Sequence, residues 1–547
     1  MATLSTADAV VGSLIAHGID TVFALPGMQN DVLFDSLHGV RDRLRVVQTR
    51  HEQGAAYMAL GAAMATGKPA VYCVVPGPGF LNTTAALSTA YACNAPVLAL
   101  TGQIPQEHIG RGLGFLHEIP DQLALMKLLT KWAGRIERPE DAPRLVNEAF
   151  HQLTSGRPRP AALECPLDVW AQTAAMSENG LRQKATESIV DQQAVAAAAE
   201  LLLRAEHPVI VVGGGAQHAS AQATELADLL QAPVIAGQMG FGVVDSRHPL
   251  SVNLQVGHRL WPSADVVLAV GTRLWPQQLH WGIDDAMKII RVDADPEEIE
   301  RYSVPEVGIV GDSGAVLETL IDLLREAVGP RSGAAAAEVQ AARDAFERDS
   351  ASLRPQFDFL NAIRSALPED GIFVDEVTQM GHAARFGYPV YKPRTFITPG
   401  YQGTLGWGLA TAIGVKIACP DRAVVSISGD GGFMFNVQEL ATAVLHDVAV
   451  VAVVFDDSAY GNVKRTQESR FDNHVIAAEL RNPDFVELAE SFGISATAVH
   501  QPDELRRALA EAIQADEPRL IHVPVGQLPD PWKFVLLPRI RGAEASV

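Results

Sequence analysis

Through most of its length the chain alternates short unbroken apolar runs with longer stretches in which apolar residues recur every three or four positions. That is the pattern of strands buried on both faces of a parallel sheet and of the amphipathic helices that cover it. Residues 1–170 alternate helix and strand in this way, from Ala7–His17 through Ala95–Thr101 to Ala161–Cys165. A second series begins at His207–Val212, where a strand runs into Gly213-Gly214-Gly215, and continues through Val266–Val270 and Ile289–Asp293. A third holds Ala423–Ser428 as a buried strand, Asn436–Asp447 as a helix with Val437, Leu440, Val444 and Leu445 on one face, and Val448–Phe455 as another buried strand. The expected fold is α/β, with three doubly wound parallel-sheet domains at 1–171, 190–328 and 355–530. A polar linker is expected over 172–190, and the alanine-rich, charged stretch 328–350 reads as a linker helix outside any core. The final Leu537–Gly542 reads equally as a tail or as a lid.

The third series carries candidate chemistry. Ser428-Gly429-Asp430-Gly431-Gly432 closes one strand and opens a helix, and Asp456-Asp457-Ser458-Ala459-Tyr460-Gly461 follows the next strand. The strands of a βαβ unit run parallel, so their carboxyl ends share one sheet edge, and Asp430 and Asp457 converge there although far apart in sequence. Gly429, Gly431 and Gly432 leave backbone N–H groups bare for an anion such as a diphosphate. Mg²⁺ takes carboxylates together with phosphate oxygens. A plain βα turn with Asp as helix cap would use the same Gly-Asp-Gly. The second acidic cluster at the matching strand end favours a metal–diphosphate site.

In these residues the chain resembles the thiamine diphosphate-dependent 2-oxo acid decarboxylase and acetolactate synthase family, whose signature is Gly-Asp-Gly followed after roughly 25 to 30 residues by Asn-Asn or Asn-Asp. The resemblance extends over essentially the whole chain and implies pyrimidine-binding, middle and diphosphate-binding domains in that order. The chain departs at Asp456-Asp457, which adds one negative charge. The resemblance implies that the side chains of Asp430 and Asp457 and the carbonyl of Ala459 bind Mg²⁺, with Tyr460 and Gly461 beside them in the cofactor site. Leu44–Arg50 reads as a strand, and His51-Glu52 starts a helix running to about Thr66. By resemblance Glu52 is the catalytic acid that hydrogen-bonds a ring nitrogen of the aminopyrimidine, which asks for a dry pocket where a carboxyl can share a proton. The plain alternative is an acidic residue in the first turn of a helix. Phe23–Gly27, with Pro26 and Gly27, resembles the turn beside the pyrimidine. Pro76–Asn82, with Gly77 and Asn82, resembles a Ser-Gly-Pro-Gly loop. Thr101-Gly102-Gln103 matches a Thr-Gly-Gln whose glutamine, here Gln103, approaches the reacting carbon. Tyr401–Gly406 matches a segment whose hydrophobe, here Leu405, wedges between the cofactor rings while Gly403 lets its carbonyl approach the amino group. Val377-Thr378-Gln379, with Thr378 and Gln379, stands where the family contacts the diphosphate from the other side.

The same resemblance implies decarboxylation of a 2-oxo acid with the cofactor as electron sink, followed by protonation, oxidation or addition to an acceptor carbonyl. Val463 stands where pyruvate decarboxylases carry a protonating glutamate, as in acetolactate synthases, which favours carboligation. Thr466 replaces the tryptophan, and Asn253–Gly257 the Met-His-Gly segment, of anabolic acetohydroxyacid synthases. Met28, Gln29 and Asn30 lack the lysine of catabolic ones. Val75 stands where benzoylformate decarboxylases carry a histidine, and His108 and His117 do not form the adjacent pair of decarboxylases that release aldehydes. The alternatives are an acyl-CoA decarboxylase or lyase, an aromatic 2-oxo acid decarboxylase, and a non-catalytic regulatory paralogue; retained Glu52, Asp430 and Asp457 speak against the last. No G-x-G-x-x-G fingerprint appears at 213–218, so nicotinamide binding is not expected; some members of the family hold FAD or ADP in the middle domain, where Gly271-Thr272-Arg273 and Asp293-Ala294-Asp295-Pro296 stand, and a nucleotide-free domain reads equally here. A cofactor shared between chains implies a homodimer as the minimum and a homotetramer as the expected assembly.

Composition narrows the partners. With 547 residues and 48% apolar content the chain exceeds a single core. The 43 basic and 64 acidic residues leave a net charge of −21, which argues against nucleic acid and anionic membrane. No cleavable apolar leader opens the chain, and runs such as Val448–Phe455 fall far short of the roughly 20 residues of a membrane span, so a cytoplasmic protein is expected. Cys73, Cys93, Cys165 and Cys419 are scattered without C-x-x-C spacing, so disulfides and zinc are not expected. His51 reads either as a proton relay or as a packed histidine.

Overall fold

The computed structural model describes residues 2–176, 190–327, 329 and 333–542. They form three six-stranded sheets, parallel throughout and flanked by helices. Across the N-terminal sheet the strands run Arg45–Gln48, Thr21–Ala24, Ala70–Val74, Val97–Gln103, Ala161–Pro166, Trp132–Arg135. The C-terminal sheet runs Phe396–Ile397, Ile372–Val374, Val424–Gly429, Val450–Asp456, Arg519–Pro524, Ser495–Ala498. Numbered within each domain, both have the order 2-1-3-4-6-5. The middle sheet, Ser251–Val252, Val234–Ala236, Pro208–Val212, Val266–Val270, Lys288–Asp293, Val307–Val310, has the order 3-2-1-4-5-6 of dinucleotide-binding folds. In open parallel sheets ligands bind beyond the carboxyl ends of the two strands where the order reverses. Those points are Ala24 and Val74 in the first sheet, Val212 and Val270 in the second, and Val374 and Gly429 in the third.

The N- and C-terminal domains are joined by the helices Glu52–Thr66 and Gly408–Ala418. Gly61 faces the Thr411 carbonyl and Gly414 faces the Met58 backbone, with no room for a Cβ at either place. Glycine at both crossings brings the two backbones into contact and lets one apolar core run through both domains, with Met58, Leu60, Ile413 and Trp407 fully enclosed.

Four expectations change. The helix expected over Asn436–Asp447 is a 3₁₀ turn, Val437–Glu439, followed by a short helix, Leu440–Leu445. Its inward face is Asn436, Glu439, Leu440 and Ala443, while Val444 and Leu445 are exposed. Polar partners set that face: Asn436 Nδ2 donates to the Gly406 carbonyl at 2.6 Å, and Glu439 accepts from the backbone N–H groups of Arg50 and His51. Thr173–Met176, at the start of the expected linker, pairs antiparallel with Ala2–Ser5, because Met176 has a buried site to fill; 177–189 lie outside the described residues. Within 328–350, the helix Ala334–Asp349 is a core element, because Val339, Ala342 and Phe346 repeat at helical spacing and Phe346 meets the rings of Phe386 and Phe534. The C-terminal segment docks on the middle domain: the N–H groups of Ile540 and Arg541 donate to the Trp281 carbonyl, and Arg541 pairs with Asp284 at 2.8 Å.

The N-terminal and middle domains are tied by Arg157, which reaches Glu298 at 2.8 Å, Asp293 at 3.3 Å and Asp295 at 3.6 Å. Burial works against the charge on Glu298, but Arg157 and Arg301 outweigh it and hold this carboxyl below its usual range. Removing one partner of such a group strands the others. Arg157→Ala is expected to destabilise by about 3–5 kcal/mol, read as a lower denaturant midpoint for a transition involving the middle domain.

Candidate active site

The C-terminal half of the site follows from strand register. Gly429 pairs with Phe455, so Asp430 leaves its strand beside Asp456 and Asp457 leaving theirs. Asp430 is buried, and Asn482 Nδ2 bridges its Oδ2 at 2.6 Å to Asp456 Oδ1 at 3.1 Å. The other Asp456 oxygen takes His522 Nε2 at 3.1 Å. Asp457 accepts from Gln379 Nε2. Gln379 is turned that way because its own oxygen accepts from Arg465 at 2.8 Å and from the Leu528 N–H at 3.2 Å. Gly431 lies against the Tyr460 ring and Gly461 against the Asp457 carboxylate, where a Cβ would collide. Thr378 caps the helix Gln379–Gly387 through the Gly381 N–H at 2.8 Å and packs its methyl on Gly429. The structure thus gathers Thr378, Gln379, Gly429, Asp430, Gly431, Asp457, Tyr460 and Gly461 at one switch point, with Ala459 buried in the turn among them.

Burial, with the charges of Asp457 and Asp456 added, pushes the Asp430 carboxyl up to about 7, and burial also raises Asp457. Carboxylates without a counter-charge are what a divalent cation would relieve. Among the described residues no three His, Cys, Asp or Glu form a metal cage by themselves. Mg²⁺, which completes its octahedron with phosphate oxygens and water, fits such a two-carboxylate edge. Beneath it lies Glu376, fully enclosed, accepting from the Gly406 N–H and the Ser428 hydroxyl, both at 2.5 Å, and pressed against Gly432. Burial pushes it up to about 7. Glu376 ties the turn carrying Leu405 to the glycine loop. Gly403, with φ 56°, is left-handed and exposed above it.

The N-terminal half gathers at the other switch point. Glu52 is the first residue of its helix, and His51 caps that helix by accepting the Gln53 N–H on Nδ1 at 3.1 Å. Glu52 Oε2 accepts from Asn82 Nδ2 at 3.0 Å, and its other oxygen faces Gly79. Val75 fills the space between Gly79 and Gly27, next to Pro26. Gly77, with φ 59°, donates its N–H to Gln122 Oε1 at 2.8 Å, and Gln122 joins Gln103 on the buried Glu164. Among the described residues no hydrogen bond or ion pair joins Glu52 to the Asp430 cluster. Met28, Leu116 and Leu81 flank the first group and Phe435, Val463, Phe471 and Ile476 the second, all exposed.

Sequence reasoning missed Asn482, His522, Glu376, Gln122 and Glu164. Asn482 and His522 come from distant segments and carry no local signal. Glu376 and Glu164 had one: each is an acid at the end of, or within, an otherwise apolar strand segment.

A cavity of about 960 Å³ opens where the three domains meet, lined among others by Gly213, Gly215, Gly271, Arg273, Asp293 and Arg394. With two sheets of one order and, between them in sequence, a dinucleotide-type sheet, the architecture is that of a cofactor-dependent α/β enzyme. Three family descriptions match the chain: thiamine pyrophosphate enzyme, N-terminal TPP binding domain, over 4–125; the central domain over 195–320; and the C-terminal TPP binding domain over 376–523. A probable 2-ketoarginine decarboxylase of Pseudomonas aeruginosa is 33% identical over 93% of this chain and 91% of its own. A probable acetolactate synthase large subunit of Methanocaldococcus jannaschii is 32% identical over 94% and 91%. The acetolactate synthase isozyme 3 large subunit of Escherichia coli is 32% identical over 96% and 95%. The chain belongs to the thiamine diphosphate-dependent 2-oxo acid decarboxylase and acetolactate synthase-like family. It is a thiamine diphosphate-dependent enzyme of decarboxylation and carboligation. Among the described residues no helix is long and apolar enough to cross a membrane.

Proposed function

We propose that the enzyme decarboxylates a small 2-oxo acid and transfers the remaining carbon unit to a second carbonyl, as acetolactate synthases do, at a site completed by Mg²⁺ and by a second chain. The observation that carries this reading is the meeting of Asp430 and Asp457 at one sheet edge with glycine wherever a Cβ would intrude. In it, Asp430, Asp457 and the Ala459 carbonyl hold the metal. Gly429, Gly431, Gly432, Thr378, Gln379, Tyr460 and Gly461 surround the diphosphate. Gly403 and Leu405 set the bend of the cofactor. Glu52, steadied by Asn82 and lying near Pro26, Gly27 and Gly77, exchanges a proton with the pyrimidine, and Gln103 addresses the reacting substrate. Bound there, thiamine diphosphate supplies the electron sink for loss of CO₂. The domains act as units 1–171, 190–328 and 355–530.

The exposed apolar residues beside both half-sites, and the lack among the described residues of a hydrogen bond or ion pair from Glu52 to the Asp430 cluster, support a homodimer in which each centre takes one half from each chain; a homotetramer is the full assembly we propose. The net charge and the lack of a spanning helix among the described residues support a cytoplasmic enzyme. The three-domain cavity has the size and the glycine edges for FAD or ADP; a colourless, nucleotide-free preparation would exclude that occupant.

The deciding experiment incubates the protein with thiamine diphosphate, Mg²⁺ and pyruvate and follows products by proton NMR. Acetolactate is the expected product. Intact pyruvate would favour the second reading, a decarboxylase of bulkier 2-oxo acids or of CoA thioesters. The relative named for 2-ketoarginine, and Thr466 in place of tryptophan, support that reading.

A further inference from the structure

Beneath the Gln103 end of the N-terminal site lies a buried polar network. Glu164 sits within the strand Ala161–Pro166, with its side chain fully enclosed. Its Oε1 accepts from Arg135 Nε at 2.5 Å. Its Oε2 accepts from Gln122 Nε2 at 2.8 Å and from Gln103 Nε2 at 3.2 Å. Arg135 is 18% exposed, so its charge has partial access to water, whereas the carboxylate depends wholly on these three donors. A buried carboxylate retained at the meeting of three elements, where an apolar residue would continue the strand, calls for a reason beyond stability.

The network dictates which way each amide points. An ionised carboxylate only accepts and a backbone N–H only donates. Gln103 has the first on one side and the Ile104 N–H, 2.8 Å from its Oε1, on the other. Its oxygen is therefore committed to Ile104 and its nitrogen to Glu164. The nitrogen carries a second hydrogen, with no protein acceptor among the described residues. Gln122 is fixed by the same logic: its nitrogen faces Glu164 and the Gly102 carbonyl, and its oxygen takes the Gly77 N–H. One carboxylate thus orients the residue assigned to the reacting substrate and, through Gln122, the loop that carries Asn82.

We propose that Glu164 is a positioning residue that locks the Gln103 amide so that its free N–H, never its oxygen, is presented to an anionic oxygen of the 2-oxo acid. The substrate enters with a carboxylate and develops further negative charge during addition, so a fixed donor assists and a flipped amide oxygen repels. This inference rests on the role of Gln103 in the proposed function.

The test is a double-mutant cycle in the full-length enzyme loaded with thiamine diphosphate and Mg²⁺, using whichever 2-oxo acid the NMR assay shows to be turned over. Glu164→Gln removes the charge at constant size and frees the Gln103 amide to turn over; kcat/KM is expected to fall about 10- to 30-fold, while the cofactor dissociation constant changes by less than about threefold. In a Gln103→Ala background the same substitution is expected to cost at most about threefold, because the larger part of its effect passes through Gln103 and only the path through Gln122 to the Gly77 loop remains. Glu164→Asp keeps the charge on Arg135 but withdraws the carboxylate from Gln103, so it serves if Glu164→Gln does not fold. It should show the same dependence on Gln103, with a smaller loss. Equal losses in both backgrounds, or loss of cofactor affinity in step with kcat/KM, would make Glu164 a structural group and overturn the inference while leaving Gln103 in place. A Gln103→Ala enzyme with unchanged kcat/KM would instead remove Gln103 from the proposed mechanism, and the inference with it.

Discussion

Glu52→Gln should lower turnover by about 10²–10⁴-fold, the range of a lost general acid–base group, with cofactor binding nearly unchanged. The substitution is isosteric, and its amide oxygen can still accept from Asn82 Nδ2, which now reaches Glu52 at 3.0 Å. The helix start is held from elsewhere, by the His51 cap and by Glu439 gripping the N–H groups of Arg50 and His51. Only the capacity to share a proton disappears. The measurement is exchange of the cofactor C2 hydrogen with deuterium, followed by proton NMR after acid quench. Slow exchange together with normal thiamine diphosphate saturation supports the assignment; exchange at the wild-type rate rejects it.

Asp430→Ala is expected to weaken Mg²⁺-dependent binding of thiamine diphosphate by at least about 100-fold, beyond the 10- to 100-fold typical of residues that only support a ligand. Asp430 has no substitute: Asp456 is committed to Asn482 and His522, and Asp457 alone would remain to face the metal. The fold should survive, because the variant removes a buried carboxylate that burial already disfavours and Asn482 keeps Asp456 as its acceptor. Calorimetric titration of cofactor at several Mg²⁺ concentrations, alongside a thermal melt, separates the two effects. A variant that saturates like the wild type would place the metal on other residues.

Much of the architecture was legible because parallel sheets buried on both faces write unbroken apolar runs. Val266–Val270 and Ala161–Cys165 mark strands almost to the residue, and His51-Glu52 marks the helix start. The Gly-Asp-Gly and Asp-Asp segments were legible as partners because parallel strands bring their carboxyl ends together. The helix after Asn436 was misread because its inward face is chosen by polar groups, Asn436 bonded to Gly406 and Glu439 bonded to Arg50 and His51 of the N-terminal domain. An apolar pattern cannot reveal a partner almost 390 residues away. Ala334–Asp349 was discounted for its charges although Val339, Ala342 and Phe346 already spelled a buried stripe. The C-terminal segment shows no periodicity, and its place is set by backbone bonds to Trp281 that no pattern encodes.

The backbone contact at Gly61 and Gly414 divides the molecule into a part that cannot drift and a part that can. Any side chain added at either crossing forces the two helices apart, and with them the domains carrying Glu52 and Asp430. Selection for a new substrate has no purchase on that axle. It can act on the margins at Met28, Leu113–Leu116, Val463 and Phe471–Ile476, where a change of size or charge leaves the axle untouched. A single scaffold can thus diversify its substrates without retuning its chemistry.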